Sequence, residues 1–377
     1  NCVWPFSCEM SAMQTSDKGW QPPHCPNPNC SYHNGNYDSW PFRRHGFFRR
    51  RIPPYRIQRF TCKACGRAFS TQTFSTSYWL KRPDVLRSLI TKVVGGMCNR
   101  QAARDINASP STIDRQISRL GRHCLLFHTR MMESAPPPPS IAIDGFESFE
   151  LSQYFPFHFH VAVEPDTSFF NHFTDSELRR KGRMTSAQRK RRAHLEKHLG
   201  RPDPKAVEKD VGELLTTSLH GAEKAKVLSD LHQSYPRTFR ELRCKIEHKT
   251  VSSKKHRDRN NLLWEINRLD RMIRHCQAGH VRETLAWPKR RQRAAERLAV
   301  FQVWWNYMRS RWVKRGRASP GMLRGVADRV LRVADVLGER IFPTRVQLPE
   351  RWMLYYNGKI KTRGLVRQNG HDLQYAF

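Results

Sequence analysis

Two closely spaced pairs of cysteines constrain the fold of this chain more strongly than any other feature. The pairs are Cys25 with Cys30, and Cys62 with Cys65. Zinc binds four soft ligands in a tetrahedron, and two tight turns that each offer two thiolates supply them. The alternative, four reduced and buried thiols, is disfavoured because the surrounding sequence is polar. The spacing therefore predicts a structural zinc ion in a zinc ribbon over residues 23–78, with His24 and His33 nearby as substitute ligands.

The charge of the chain points to a polyanionic partner. Its 377 residues include 67 Lys and Arg against 33 Asp and Glu, which gives a formal net charge of +34. A charge this large favours nucleic acid and disfavours a purely metabolic enzyme. A hydrophobic fraction of 38% excludes a disordered basic tail, and no apolar window is long enough to cross a bilayer. The N-terminal tail, residues 1–22, lacks the pattern of a signal peptide, so we expect an intracellular protein of several domains.

A basic and aromatic stretch runs between the two cysteine pairs, over residues 41–51. Arginines alternate there with phenylalanines, and such a pattern can hold phosphates while the rings stack or fill a groove. We therefore predict DNA-backbone contacts from Arg49, Arg50 and Arg51. The alternative is a solvated basic loop whose rings pack on the ribbon, and in neither case does the stretch read base sequence.

Residues 79–134 carry the pattern of a helix-turn-helix DNA-binding domain. After a first amphipathic helix, a helix over 99–106 with two small alanines lets another, predicted over 111–122, approach closely. In this motif the second helix enters the major groove. Four of its side chains are predicted to face DNA: Arg115 and Gln116 at base edges, Arg119 and Arg122 at phosphates. The alternative is a plain helical hairpin without DNA contacts.

A run of prolines over residues 135–140 predicts a stiff linker, and a new domain is expected over 141–315. Apolar runs predict its strands at 140–146, 155–163, about 168–173 and 225–232, with a helical, basic insert over about 175–220. Asp144 and Asp230 are predicted at strand ends, and carboxylate oxygens are the ligands that Mg²⁺ or Mn²⁺ takes in phosphoryl transfer. Since Asp-Gly also forms ordinary turns, the prediction of a catalytic metal site depends on the two aspartates together.

A third carboxylate is expected from a helix packed on the same sheet. The segment 260–275 has an apolar stripe, and Glu265 and Asp270 lie on opposite edges of it, roughly 140° apart. Only one of them can face the metals, and periodicity leaves both open as the third catalytic acid. Glu283 and Glu296, further along the chain, are weaker alternatives.

These motifs, in this order, resemble those of bacterial insertion-sequence transposases of the DDE class. The resemblance rests on the cysteine pairs, the helix-turn-helix, Ile-Asp-Gly at 143–145 and Ser-Asp-Leu-His at 229–232. It spans roughly residues 24–310. It implies a multidomain α+β protein in which a ribonuclease-H-like α/β domain carries out catalysis, within a multimeric complex on DNA.

The end of this region is similar to the first-described insertion-sequence family. There, an Ile-Glu-Arg group with asparagine three residues after the acid precedes a spaced arginine pair and a Phe-Ser-Lys turn. In this chain Asn267 stands in the place of the acid and Asp270 in that of the asparagine, followed by Arg274 and by Ala-Trp-Pro-Lys at 286–289. This departure slightly favours Asp270 over Glu265.

We therefore predict a DNA transposase that binds the terminal repeats of its element and catalyses metal-dependent cleavage and strand transfer. Its expected partners are double-stranded DNA, at the element ends and at the target, and further copies of the chain. Its expected location is the bacterial cytoplasm, associated with the nucleoid. The alternatives are a zinc-dependent transcriptional regulator or inactive domesticated transposase, and a structure-specific nuclease. For the C-terminal extension, residues 316–377, the sequence suggests only a capping or docking role.

Overall fold

The structure of the protein, a computed structural model, describes residues 20–35, 39–252, 254–281, 284–312 and 316–366. Over these ranges it is a mixed α+β protein with two β-sheets and eleven α-helices, which confirms the predicted fold class at this level. It divides into two compact units, residues 1–79 with 338–345, and residues 80–337 with 346–377. None of the helices in the described ranges is both long and apolar enough to cross a bilayer.

Eight strands are described: β1 (Phe42–Arg49), β2 (Arg56–Cys62), β3 (Ala68–Ser70), β4 (Ser140–Phe149), β5 (Pro156–Val163), β6 (Phe170–Glu177), β7 (Lys224–Ser229) and β8 (Lys245–Thr250). The helices are α1 (Pro83–Val94), α2 (Asn99–Ile106), α3 (Pro110–Met132), α4 (Ser186–Leu199), α5 (Ala206–Ser218), α6 (Tyr235–Phe239), α7 (Trp264–Cys276), α8 (Arg291–Val303), α9 (Pro320–Leu323), α10 (Val333–Val336) and α11 (Glu350–Tyr356). A π-helical turn over Trp304–Met308 continues α8.

The smaller unit is a three-stranded antiparallel sheet in the order β1-β2-β3. Its core is aromatic, because so short a sheet buries little surface unless its side chains are large. Trp40 and Phe60 each stack on Phe69, with ring centroids 5.6 and 5.5 Å apart. Phe74 and Phe342 complete this cluster, so residues 338–345 return to the unit.

The larger unit contains a five-stranded sheet in the order β6-β5-β4-β7-β8. The first three strands are antiparallel, whereas β7 is parallel to β4 and β8 is parallel to β7. Helix α5 covers one face, where Val211 and Leu215 join Ile143 in a buried cluster. Helix α7 packs against β4 and β5 with its buried stripe, which includes Ile266 and Leu269. The sheet is therefore covered by a helix on each side, as parallel pairing requires.

The three helices α1 to α3 belong to the larger unit, and α1 and α2 both contact α3. Asn107 adopts a left-handed conformation after α2, and the Ser109 side chain caps α3 by accepting a hydrogen bond from the N–H of Thr112 at 3.1 Å. Helix α3 runs ten residues beyond the predicted end at residue 122 and packs along α8. A Cβ on Gly121 would lie 2.5 Å from the Glu296 carbonyl oxygen, so the two helices approach closely. The predicted border near residue 134 is consequently not a border between compact units.

Part of the predicted C-terminal extension is integral to the larger unit. The Trp352 indole of α11 donates a hydrogen bond to the carbonyl oxygen of Phe173 at 3.0 Å, and Tyr355 stacks on the same Phe173 ring at 5.6 Å. Both α11 side chains are buried. Helix α11 therefore supplies core packing beside β6.

Candidate metal centres and nucleic-acid surfaces

The four paired cysteines come together in the smaller unit. Their Sγ atoms all lie within 4.8 Å of one another. Cys25 and Cys65 are 3.6 Å apart at sulfur, and Cys30 and Cys62 are 4.0 Å apart. A tetrahedral zinc ion with Zn–S bonds of about 2.3 Å needs sulfurs roughly 3.8 Å apart. The four thiols can therefore hold a zinc ion, as their spacing predicts.

Local structure prepares Cys62 for this role. It ends β2, and the following turn closes with a hydrogen bond from the Gly66 N–H to the Cys62 carbonyl oxygen at 2.9 Å. The Trp40 indole donates a hydrogen bond to the Cys62 sulfur at 3.3 Å. Burial alone would raise the pKa of Cys62, but the indole and the N–H groups of Cys65 and Ala64 stabilise the thiolate and lower the pKa to about 7. Burial raises the pKa of Cys25, so this thiol loses its proton readily only to a metal ion.

His24 and His33 do not join the sulfur group. The Nδ1 atoms of both rings contact the Cys25 carbonyl oxygen, at 3.0 Å for His24 and 2.7 Å for His33. The His33 Nε2 atom also lies 2.8 Å from the Thr344 hydroxyl. Both histidines are buried. They orient the first cysteine turn and are not positioned as substitute ligands.

Asp144 and Asp230 lie on neighbouring parallel strands. The register pairs Ala142 of β4 with Leu228 of β7. Asp144 and Asp230 each lie two residues beyond this pair, so they are level with each other on the two strands. Parallel neighbours are about 4.8 Å apart, and equal register places their side chains on the same face of the sheet. Asp230 follows the last residue of β7, as predicted, but Asp144 is in the middle of β4. The prediction of a strand end at Asp144 is wrong because β4 continues to pair with β5 after β7 has stopped.

Asp270 of α7 reaches the same region. Burial raises the pKa of Asp144 to about 6, and the charges of Asp230 and Asp270 add to this effect, while the Gly145 N–H and Arg257 oppose it. Asp144 is thus within electrostatic range of both other carboxylates. The arrangement is open, since among the described residues the four cysteines alone form a group with all ligand atoms within 4.8 Å. A cluster of like charges at the open end of β7 fits a divalent cation, which would remove the repulsion.

Glu265 lies elsewhere, although it is only five residues from Asp270. It is buried and accepts a hydrogen bond from the Ser168 hydroxyl at 2.6 Å. It also pairs with Arg268 at 2.9 Å and with Arg311 at 3.2 Å. Two guanidinium groups neutralise this carboxylate, so it is occupied in a structural cluster at the β5–β6 turn. Of the two acids that periodicity left open, Asp270 is the one near Asp144.

The two weaker alternatives do not join the aspartates. Glu296 is fully buried, where it accepts a hydrogen bond from the Ser118 hydroxyl at 2.8 Å and pairs with Arg293 at 2.6 Å. Glu283 lies outside the described residues.

Two neighbours of the aspartates escaped prediction from sequence. A Cβ on Gly145 would lie 2.3 Å from the Cε1 atom of His158 and 2.3 Å from the Phe159 carbonyl oxygen. Gly145 is therefore glycine because the imidazole of His158 lies across β4 at this point, over the residue that follows Asp144. The alternation of phenylalanine and histidine in β5 predicts only a strand, and nothing in it marks His158 as a neighbour of the site.

The predicted DNA-facing side chains of α3 divide into one exposed residue and three buried ones. Arg115 is exposed. Gln116, Arg119 and Arg122 are buried, so the prediction that they face outward is wrong. Gln116 donates a hydrogen bond to the Arg82 carbonyl oxygen at 3.1 Å, and Arg122 donates one to the Ser118 hydroxyl at 2.8 Å. The cause is the packing of α8 along α3, which encloses all but the first turns of this helix.

Basic side chains line the surface of β1 and β2 in the smaller unit. Arg49 and Arg51 are exposed, as are Arg43, Arg44, Arg56 and Arg59. Arg50 differs, because its guanidinium donates a hydrogen bond to the Gln72 side chain at 2.9 Å. The exposed ring of Phe48 lies among these cations. This cationic hairpin, residues 42–62, presents cations and a ring to solvent in the arrangement that the sequence suggested.

The insert of the larger unit is a second basic surface. Helix α4 buries none of its side chains. Its exposed cations and those just before it are Lys181, Arg183, Arg189, Lys190, Arg191 and Lys197. The single acid of α4, Glu196, is already paired with Arg179, Arg192 and Arg201. The surface of α4 is therefore uncompensated positive charge, which a polyanion would neutralise.

No protein-family profile and no curated protein matches this chain. A comparison with solved structures finds a chain from the "CryoEM structure of simian T-cell lymphotropic virus intasome in complex with PP2A regulatory subunit B56 gamma". The two chains are 14% identical, with a TM-score of 0.25, over 51% of this chain and 55% of that chain. The match thus spans about half of the other chain's length. The similarity is distant, and nothing about the chemistry of this protein follows from it.

Proposed function

We propose that this protein is a DNA transposase of the DDE class, whose acidic site cuts phosphodiester bonds and joins the freed ends to target DNA. One observation supports this proposal above the others. Asp144 and Asp230 stand level on adjacent parallel strands, and Asp144 is within electrostatic range of both Asp230 and Asp270. In open sheets with parallel strands, ligands bind where the parallel pairing ends. We take this sheet to be the ribonuclease-H-like domain that the sequence resemblance implies.

The three aspartates would hold two divalent cations, Mg²⁺ or Mn²⁺. When bound, such ions activate the attacking oxygen and stabilise the leaving one. The chain itself contributes the fixed geometry. Asp144 and Asp230 are set by strand register, and the Gly145 N–H holds one Asp144 oxygen at 2.7 Å. Asp270 is held on α7 by its ion pair with Arg274 at 3.2 Å.

DNA would be bound by basic surfaces in both units. The cationic hairpin is proposed to contact the backbone through Arg49 and Arg51, and α4 and its preceding loop would contact it in the larger unit. Arg115, at the start of α3, is the remaining candidate for a base-edge contact. Each phosphate contact releases a counterion, so affinity should fall steeply with salt concentration. The zinc site would stabilise the hairpin and the ribbon that carries it.

Cleavage by the purified full chain is the experiment that tests this function. The substrate is a supercoiled plasmid that carries the gene with its natural flanking DNA, incubated with Mg²⁺ and analysed for nicked and joined products. The parent should nick it, and Asp144→Asn and Asp230→Asn should not. Asp203→Asn is the matched control, because Asp203 is an exposed aspartate paired with Lys209 and does not border the acidic site. Its activity should equal that of the parent.

The outcomes separate the proposal from its rivals. DNA binding without nicking by the parent would indicate a regulator or an inactive relative. Nicking without any joined product would indicate a structure-specific nuclease. We further propose that the active form is a multimer on DNA in the bacterial nucleoid, which a sedimentation measurement with and without end-bearing DNA would test.

A further inference from the structure

A chain of polar side chains runs from β5 to the insert helix α5. It begins at His158 and His160, whose Nδ1 atoms lie 3.1 Å apart. The Nε2 atom of His160 lies 2.7 Å from the hydroxyl of Ser176 on β6. That hydroxyl donates a hydrogen bond to Asp210 of α5 at 2.6 Å. Arg351 of α11 pairs with the same carboxylate, so the chain ends on an ion pair.

Chemistry fixes the direction of these hydrogen bonds. A carboxylate accepts only, so Ser176 gives its single hydrogen to Asp210, and its oxygen must accept from the Nε2–H of His160. Burial holds the pKa of His160 well below its ordinary value, so this ring is neutral and its Nδ1 carries a bare lone pair. His158 must then donate from Nδ1–H. The remaining nitrogen of His158, Nε2, is left as an acceptor.

His158 lies close to residues that adjoin or pair with each of the three aspartates. Its ring covers Gly145, the residue after Asp144, and by pleat alternation it approaches from the α5 side of the sheet. It is within electrostatic range of His232, which follows Asp230 by two residues. It is also within range of Arg274, which pairs with Asp270. Since β7 stops at Ser229, the edge of β4 is open there, and a side chain that crosses Gly145 extends toward this opening.

We propose that His158 is a further catalytic residue of the acidic site, whose Nε2 accepts a hydrogen bond from the hydroxyl that attacks phosphorus. That hydroxyl belongs to water in cleavage and to the DNA 3′ end in joining. The hydrogen bond turns the oxygen lone pair toward phosphorus, which is an orienting effect without proton transfer. His160, Ser176 and Asp210 are positioning residues that fix the tautomer. This inference rests on the proposed function.

Two observations within the larger unit support this role for Nε2. No described residue hydrogen-bonds it, although the Nδ1 atom of the same ring is paired. Burial lowers the pKa of His158, and Arg274 adds to this effect.

The test compares His158→Gln with His158→Asn in the full chain, on the same supercoiled plasmid with Mg²⁺. Glutamine can place its amide oxygen where Nε2 lies, whereas asparagine reaches only the Nδ1 position and keeps the contact to His160. We expect His158→Gln to nick within about tenfold of the parent rate. We expect His158→Asn to lose at least about 100-fold, as when a single orienting group is removed from a site. DNA affinity and melting temperature should be equal for the two variants.

Two results would overturn the inference while the proposed function stands. One is a parent that nicks alongside an equally active His158→Asn. The other is equal loss in both variants with a lowered melting temperature, which would indicate a structural role. A parent that does not nick overturns both proposals. Ser176→Ala is a milder variant in case the histidine variants do not fold. It removes the hydroxyl that fixes the tautomer of His160, so the nicking rate should fall while DNA affinity is unchanged. An unchanged nicking rate would refute the role of this hydrogen-bond chain.

Discussion

Neutralising the two acids of α7 should have opposite consequences, because Glu265 is tied to structure and Asp270 to the acidic site. Glu265→Gln removes the charge that faces Arg268 and Arg311, whose side chains are 12% and 17% exposed. Leaving buried cations without their partner costs about 3–5 kcal/mol. In a unit of this size that lowers the melting temperature by roughly 10 °C. Nicking activity per folded molecule should remain within about threefold of the parent, since no ligand is lost.

Asp270→Asn should show the reverse. Its ion pair with Arg274 joins side chains that are 27% and 26% exposed, and such a pair contributes about 1 kcal/mol or less. The change also relieves repulsion on Asp144, so the melting temperature should stay within a few degrees of the parent. Loss of a metal ligand worth about 4 kcal/mol in the transition state lowers the nicking rate roughly a thousandfold.

Differential scanning fluorimetry and plasmid nicking at 15 °C, where both variants are folded, measure the two effects separately. Urea titration at the same temperature gives the folded fraction by which each nicking rate is divided. An active Asp270→Asn together with a normally stable but inactive Glu265→Gln would refute the assignment of the third acid.

Three further predictions follow from local geometry. Gly145→Ala should lower the free energy of unfolding by about 1–3 kcal/mol and displace the His158 ring. Gly212→Ala in α5, where the nearest neighbour of an added Cβ is 3.5 Å away, should instead raise it by up to about 1 kcal/mol. Chemical denaturation of both variants tests the close approach at β4. A zinc chelator, or Cys62→Ser, should make residues 20–79 sensitive to protease while the aspartate-bearing unit resists. Limited proteolysis with mass spectrometry measures this, and cleavage of both units, or of neither, would contradict the prediction. Burial lowers the pKa of His128 to about 4, from about 6.5 in the unfolded chain, so the unfolded chain takes up a proton first as pH falls. About 3 kcal/mol of stability should therefore be lost between pH 6.5 and pH 4. In urea unfolding at several pH values, His128→Gln should lose less stability than the parent over this range, and an equal loss would contradict the prediction.

Several features of the fold could be predicted because local chemistry dictates them. Zinc geometry fixes the spacing of the cysteine pairs. Helix α2 begins and ends at the predicted residues, since its small alanines and the Asn107 cap are local signals. Apolar runs predict four strands of the five-stranded sheet within a few residues of those observed, whereas β8 has no such run and was not predicted. In each case the determinant lies within about ten residues of the element it forms.

The errors concern contacts between distant parts of the chain. Helical periodicity and the helix-turn-helix pattern predict phosphate contacts for Arg119 and Arg122, yet α8, some 170 residues later in the sequence, packs along this part of α3. Periodicity could place Glu265 and Asp270 on opposite edges of α7 but could not decide between them. That decision depends on Arg311 and Ser168, which belong to other segments.

Gly145 illustrates the same limit at the acidic site. In sequence, Asp-Gly after an apolar run is typical of a turn, but here the glycine is mid-strand. It is required by a ring from the neighbouring strand, and antiparallel register brings His158 to it. Neither the ring nor the register is visible in the local sequence.

The central claim is that Asp144, Asp230 and Asp270 share bound divalent cations, and iron-directed cleavage of the polypeptide tests it most directly. Fe²⁺ replaces Mg²⁺ in the full chain bound to DNA, and ascorbate with peroxide then generates radicals that cut the backbone beside the metal. Apart from any cuts at the cysteine site, we predict three clusters of cuts, near residues 144, 230 and 270, all suppressed by excess Mg²⁺. Cuts that avoid these positions, or that persist unchanged in Asp144→Asn, would contradict the account.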